Sequence, residues 1–148
     1  MGTTFLRLGD CGFWMNNGVL EIWLRLLALH LEDPVESGSH LTKIRDLWLF
    51  ASRGLCKGCV PVGLKEAVST EEGNTIVRSV IHSLLKALKE APPLLSKDMF
   101  NLMGFGGCGF PEDLEARRFI DVRHAFLDLL DGKITAGPSD TTFMPGCR

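Results

Sequence analysis

Two cysteines separated by two residues, Cys56 and Cys59, have the spacing in this chain that is best suited to chemistry. Such a pair can supply half of a tetrahedral zinc site or act as a redox dithiol. A structural zinc site needs four ligands, and the other cysteines, Cys11, Cys108 and Cys147, are single. A thioredoxin-like pair needs a preceding strand, whereas the sequence predicts a helix before Cys56. We therefore expect loop thiols with no metal and no cofactor; metal binding at Cys56 and Cys59 is the alternative.

The glycine-rich segment Gly104–Phe110 invites comparison with phosphate-binding loops. No Lys-Ser or Lys-Thr pair follows it, so it is not a P-loop, and a predicted helix rather than a strand precedes it, which argues against a dinucleotide-binding motif. Two interpretations stay open. The segment is a connector whose Phe105 and Phe110 enter the core, or it is a contact loop in which these rings anchor a partner.

The motifs of several enzyme classes are missing. The sequence has no Gly-x-Ser-x-Gly nucleophile elbow, no His-Glu-x-x-His zinc motif and no carboxylate pair in a recognisable glycosidase frame. A cysteine nucleophile served by a distant histidine is the enzymatic alternative. We expect a protein that is not an enzyme.

Composition favours a globular protein without a strong electrostatic field. Hydrophobic residues make up 45% and charged residues 23% of the 148, and the formal net charge is -2. A basic strip on one predicted helix, Arg78, His82, Lys86 and Lys89, has no interleaved aromatic residues. It indicates a solvated face, so we expect no nucleic-acid partner.

Apolar periodicity predicts the helices that must position these residues. The predicted helices cover 17–31, 39–54, 62–68, a segment capped by Ser69 with Glu72 and stopped at Pro92, then 96–103 and 111–130. No run of alternating apolar and polar residues is long enough to predict a sheet. The expected fold is a single all-α domain over 1–148, a bundle of about five or six helices, with 1–15 and 133–148 irregular.

Polar residues on these helices have structural interpretations. His30 projects onto the apolar side of the first helix, which predicts a core histidine with a hydrogen-bond partner. Glu112 and Asp113 are expected to compensate the dipole of a last helix that starts at Pro111. The spacings of three or four along that helix permit an ion-pair ladder, which would involve Asp113, Arg117, Asp121, His124 and Asp128.

The apolar run Val19–Leu31 is the segment of the sequence most similar to a targeting signal or a membrane span. Glu21 and Arg25 interrupt it, it lacks the flanks of a signal peptide, and it is too short and too charged to span a bilayer. The cysteines are then expected to be reduced thiols. We expect a cytoplasmic protein with no membrane association.

Three stretches resemble those of small cytosolic immunity proteins, which protect bacteria from polymorphic or contact-delivered toxins. The stretches are Phe13–Gly18 with Glu21–Leu24, Asn101–Pro111 and Phe126–Lys133. The resemblance implies a non-enzymatic inhibitor that binds a toxin and neutralises it. A small regulatory or ligand-sensing helical domain is the alternative, for which a pocket near His30 is the expected sign.

Aromatic residues beside acidic ones are the candidate contact residues for such a protein partner. These are Trp14 in the N-terminal segment, Phe105 and Phe110 in the glycine-rich segment, and Glu112 and Asp113 after it. Aromatic anchors ringed by acids suit a basic partner surface. The opposing interpretation places the rings in the core and leaves the acids as helix caps.

Overall fold

A β-hairpin opens the chain in the computed structural model, which describes residues 2–31, 39–56, 58–105 and 109–147. Strand β1 (Thr3–Leu8) pairs antiparallel with β2 (Cys11–Asn16) through a turn at Gly9 and Asp10. Gly9 has a φ of 65°, a conformation that glycine adopts without steric cost. The prediction that residues 1–15 are irregular is therefore wrong.

The remaining elements are mostly helical. In chain order they are α1 (Asn17–Leu31), α2 (His40–Ala51), α3 (Leu64–Ala67), α4 (Glu71–Glu90), β3 (Leu94–Leu95), α5 (Lys97–Leu102), β4 (Leu114–Glu115) and α6 (Ala116–Leu130). Strands β3 and β4 form a second antiparallel pair. The described residues thus contain six helices and two small sheets, so the fold is mixed α/β and the all-α prediction is wrong.

Helix α1 lies at the centre of the fold. It is apolar around most of its circumference, so it buries side chains on several sides at once, and it packs against α2, α4 and β2. Trp23 is fully buried beside Phe126 of α6, with ring centroids 5.3 Å apart. The hairpin closes one side of this core with Leu6, Phe13 and Met15.

Helix α2 is fixed at both ends by side-chain hydrogen bonds. Ser39 caps its start, where its hydroxyl accepts a hydrogen bond from the amide of Thr42. Near its end, the indole Nε1 of the fully buried Trp48 donates to the carbonyl oxygen of Val62 at 2.5 Å. This bond joins α2 to the segment that leads into α3.

Helix α4 begins one residue later than the sequence suggests. Thr70 is the N-cap, and its hydroxyl accepts from the amide of Gly73 at 3.0 Å, whereas the Ser69 hydroxyl donates to the carbonyl oxygen of Glu66. Arg78 of α4 reaches Asp131, just after α6, with 2.6 Å between Nη1 and Oδ1. That contact lowers the pKa of the Asp131 carboxyl, chiefly through the hydrogen bond from Arg78.

Helix α6 begins at Ala116 and not at Pro111 as predicted. The reason is competition from tertiary structure: Leu114 and Glu115 pair with Leu95 and Leu94, and this extended pairing is incompatible with a helical turn. The described residues beyond α6, 131–147, contain neither helix nor strand.

Candidate partner-binding surface

Helix α5 is anchored to the segment that precedes β4. The hydroxyl of Ser96 caps the helix by accepting from the amide of Met99. The carboxylate of Asp113 accepts from the amide of Lys97 at 2.9 Å, and the Lys97 ammonium donates to the carbonyl oxygen of Pro111 at 3.2 Å. These bonds hold residues 111–113 beside the first turn of α5.

The other end of α5 is tied to Phe110. The Asn101 side chain both donates to the carbonyl oxygen of Phe110 at 3.1 Å and accepts from its amide at 2.6 Å. The half-buried Phe110 ring lies 5.9 Å from the ring of Phe100, and a Cβ atom at Gly18, at the start of α1, would contact it. Because both ends are fixed, α5 and residues 109–113 present one continuous surface.

Two large apolar side chains of α5 point to solvent on this surface. Leu102 is 90% exposed and Met99 is 46% exposed. They are three residues apart, so they lie on neighbouring positions of one helix face. Asp98 is exposed next to Met99 in the chain, and Glu112 is exposed in the segment that is hydrogen-bonded to α5; neither carboxylate forms an ion pair with any described residue. We call Asp98, Met99, Leu102 and Glu112 the α5 surface.

A cleft of about 310 Å³ lies between this segment, the start of α1 and residues 146–147. Val19, Phe110 and Leu114 give it apolar walls, and Glu112 and Arg118 add opposite charges. Within the described part of the chain, the buried Nε of Arg118 has no hydrogen-bond partner.

Of the sequence-predicted contact residues, the structure brings together Phe110, Glu112 and Asp113. Trp14 lies on the hairpin, where its ring packs 5.4 Å from that of Phe5 and its Nε1 donates to the carbonyl oxygen of Pro138. Phe105 is only 2% exposed and sits beneath the guanidinium of Arg25, 4.9 Å from the ring centroid. Phe105 is therefore a core residue in this structure.

The structural roles predicted for the two acids differ from those observed. Since α6 starts at Ala116, neither Glu112 nor Asp113 lies at its N-terminus, and Asp113 instead satisfies a backbone amide at the start of α5. The ladder that the spacings permit is also absent among the described ion pairs. Arg117 pairs with Glu115, and Asp128 pairs with Lys133 at 3.2 Å.

The cysteines and histidines do not converge in the described residues. Cys56 is half-buried, Cys59 and Cys147 are exposed, and no group of three or more potential metal ligands forms in the ranges that the structure covers. Cys108 lies outside those ranges. His30 is half-buried, and its Nδ1 donates to the carbonyl oxygen of Leu26, one turn back in α1. The expectation of no metal and no cofactor stays a prediction.

One carboxyl group is buried without a described partner. Glu21 of α1 is 6% exposed, and no hydrogen bond or ion pair joins it to another described residue. Burial raises the pKa of this carboxyl because desolvation disfavours its charged form. No nucleophile or metal-ligand cluster accompanies it in the described ranges, so it has the character of a core group.

No protein-family model, curated protein or solved structure matches this chain. Among the described residues, no helix is both long enough and apolar enough to cross a membrane.

The sequence interpretation missed the exposed apolar residues of the α5 surface. It treated Met99 and Leu102 as ordinary positions of a short helix, while it weighed the aromatic residues nearby as anchors. Their spacing of three was the available signal, because one helix face bearing both Met99 and Leu102 cannot also be the face that buries Phe100.

Proposed function

We propose that this protein acts in the bacterial cytosol by binding a basic protein partner through the α5 surface, and that it catalyses no reaction. The proposal follows the resemblance to immunity proteins, so the partner would be a toxin domain that binding neutralises. The 90% exposure of Leu102 is the observation that carries it. A leucine side chain this exposed buries little apolar surface against the residues that the structure describes.

The arrangement of charge supports a basic partner. Asp98 on α5 and Glu112 in the adjoining segment carry carboxylates with no ion pair among the described residues, while Lys97 donates to the carbonyl oxygen of Pro111. An apolar centre with a charged rim is the usual anatomy of a protein interface. Rim carboxylates accelerate association with a cationic partner and penalise an anionic one.

Rigidity supports the same conclusion. The hydrogen bonds between Asn101 and Phe110, and from the amide of Lys97 to Asp113, fix the surface before any partner arrives. A pre-ordered surface loses little conformational entropy on binding, which favours the tight association that an inhibitor requires.

Affinity capture from the native host, followed by calorimetry with the captured protein, tests the proposal. We expect one dominant basic partner. Leu102→Asp and Glu112→Lys should each weaken its binding at least tenfold, about 1.4 kcal/mol. Leu55→Asp is the matched control, because Leu55 is 64% exposed but lies in a different segment, and it should change affinity less than threefold.

Asp113 is left intact in this design, since its carboxylate caps α5 and its replacement would disturb the surface indirectly. Equal affinity of wild type, Leu102→Asp and Glu112→Lys, with unchanged circular dichroism, would place the interface elsewhere. Chemical modification of the partner catalysed by this chain would rule out the non-enzymatic inhibitor.

A further inference from the structure

The two edges of the N-terminal hairpin are in different states. On β2, the amide of Gly12 donates to the carbonyl oxygen of Ala136 at 2.8 Å, and the Trp14 indole donates to the carbonyl oxygen of Pro138 at 2.9 Å. Residues 136–138 therefore cover the β2 edge. Proteins commonly cover strand edges in this way, because an open edge is a template for pairing with another chain.

The register shows which backbone groups lie on the other edge. Gly12 pairs with Arg7, and its amide points away from β1 to reach Ala136, so the Arg7–Gly12 pair is one that exchanges no hydrogen bonds. Hydrogen-bonded and non-hydrogen-bonded pairs alternate, so Phe5, like Arg7, directs its amide and carbonyl outward. Within the described part of the chain, no hydrogen bond outside the hairpin ladder uses the main-chain groups of Phe5 or Arg7.

Phe5, Leu6 and Arg7 of β1 line a groove of about 660 Å³. One wall is β1 from Phe5 to Arg7, and the other is the segment 59–66 with Leu47 of α2. The far wall is fixed to the hairpin, since the buried amide of Val60 donates to the hydroxyl of Thr4 at 2.9 Å. The groove therefore exists before any ligand enters.

The chemistry of the lining favours a peptide over a charged small molecule. Arg7 and Lys65 are balanced by Asp10 and Glu66, so the ionisable side chains of the lining select no net charge. The regular feature of the groove is the row of main-chain donors and acceptors on β1, which recur every two residues, roughly 7 Å apart. An extended polypeptide carries the matching groups at the same spacing.

We propose that this groove binds an extended segment of a partner protein, which adds to the hairpin as a third strand beside β1. The segment alternates apolar and polar residues, because every second side chain would point between Phe5 and Leu47 and the others to solvent. A second copy of this chain fits less well, since its own β1 edge is walled by its own segment 59–66. The groove shares no residue with the α5 surface, so this site stands independently of the proposed function.

The first step of the test is selection of random heptapeptides displayed on phage against the full-length protein. The winning peptide, made synthetically, is then measured by calorimetry. We expect an alternating apolar–polar sequence. N-methylation along the peptide should reduce affinity at least tenfold at every second position and less than threefold at the positions between, since a strand directs alternate amides to its neighbour.

Protein variants locate the binding edge. Arg7→Pro removes an outward amide and no hairpin hydrogen bond, so it should weaken peptide binding at least tenfold while the fold is kept. Arg7→Ala keeps the amide and should weaken binding less than threefold. If Arg7→Pro fails to fold, the N-methylated peptides measured against the wild-type protein still test whether the peptide pairs as a strand.

Three results would overturn the inference. One is the selection of no binding peptide. Another is an N-methyl series without a two-residue period. The third is a wild-type dimer that Arg7→Ala leaves intact and Arg7→Pro converts to a monomer, since a second copy would then occupy the groove.

Discussion

Two fully buried tryptophans differ in the hydrogen bonding of their indole N–H groups, so their replacements can be compared as a pair. The Nε1 of Trp48 donates to the carbonyl oxygen of Val62, whereas the Nε1 of Trp23 has no partner within the residues that the structure describes. Replacement of either ring by phenylalanine removes the same atoms from the core. The difference between Trp48→Phe and Trp23→Phe therefore isolates the hydrogen bond.

The expected magnitudes follow from the two environments. Both replacements open a cavity of roughly 40 Å³, which costs about 1 kcal/mol each at about 24 cal/mol per Å³. Trp48→Phe also leaves the carbonyl of Val62 without its donor, which costs a further 1–3 kcal/mol or so. Trp23→Phe removes a buried donor that is already unsatisfied, and so regains about the same amount. The cavity costs cancel in the comparison, so Trp48→Phe should be the less stable variant by about 4 kcal/mol.

Thermal and urea unfolding followed by circular dichroism at 222 nm measure this difference without relying on tryptophan fluorescence. For a chain of this length, about 4 kcal/mol corresponds to a difference in Tm of roughly 13 °C. Wild-type m-values in both variants would show that the denatured states are comparable. Equal destabilisation by the two variants would refute the reasoning, because ring volume alone would then account for both.

Two further variants test other buried polar groups. Thr4→Val should lower the free energy of unfolding, measured in urea, by about 2 kcal/mol. The reason is that the Thr4 hydroxyl accepts from the amide of Val60 and donates to Asn17 at 2.7 Å. Thr3→Val is the control on the exposed side of the same strand, and it should change the free energy of unfolding by under about 0.5 kcal/mol. Glu21→Gln should be more stable than wild type at pH 7 but not well below pH 4.5, the ordinary pKa of this group. Since burial raises the folded-state pKa, the wild-type carboxyl favours folding when protonated, and this stability is lost as pH rises through the raised pKa. A stability difference that does not change with pH would refute the assignment.

Helices with strong local signals could be predicted from the sequence. Helix α1 occupies the predicted 17–31, and Ser96 caps α5 as expected. In both cases the determining information lies within one or two turns of the chain. Local periodicity and cap chemistry are enough there because tertiary contacts favour the same conformation.

The missed features depend on partners far along the chain. The start of α6 moved to Ala116 because Leu114 and Glu115 pair with a strand about twenty residues earlier, and no local pattern encodes that pairing. The hairpin had a usable local signal, since Gly9-Asp10 separates two runs of six residues. Arg7 and Gly12 interrupt the apolar alternation of these runs, so periodicity alone does not predict the strands.

Only part of the candidate surface could be predicted, because the rest also depends on contacts between distant segments. Residues 110–113 stand out by composition, but whether Phe105 or Leu102 faces solvent depends on how α5 docks. Arg25 and Phe100 bury Phe105, and both belong to elements whose positions only the folded chain defines.

The cover on the β2 edge has a consequence for the order of folding. The hydrogen bond from Trp14 to Pro138 spans 124 positions, so it closes a loop that contains all six described helices. Hairpins and helices form within microseconds, whereas contacts of such separation form late. Until residues 136–138 dock, the hairpin has two open edges and can pair with the same edge of another chain. Aggregation during refolding should therefore begin at the hairpin, and it should increase with protein concentration and whenever this last docking step is slowed.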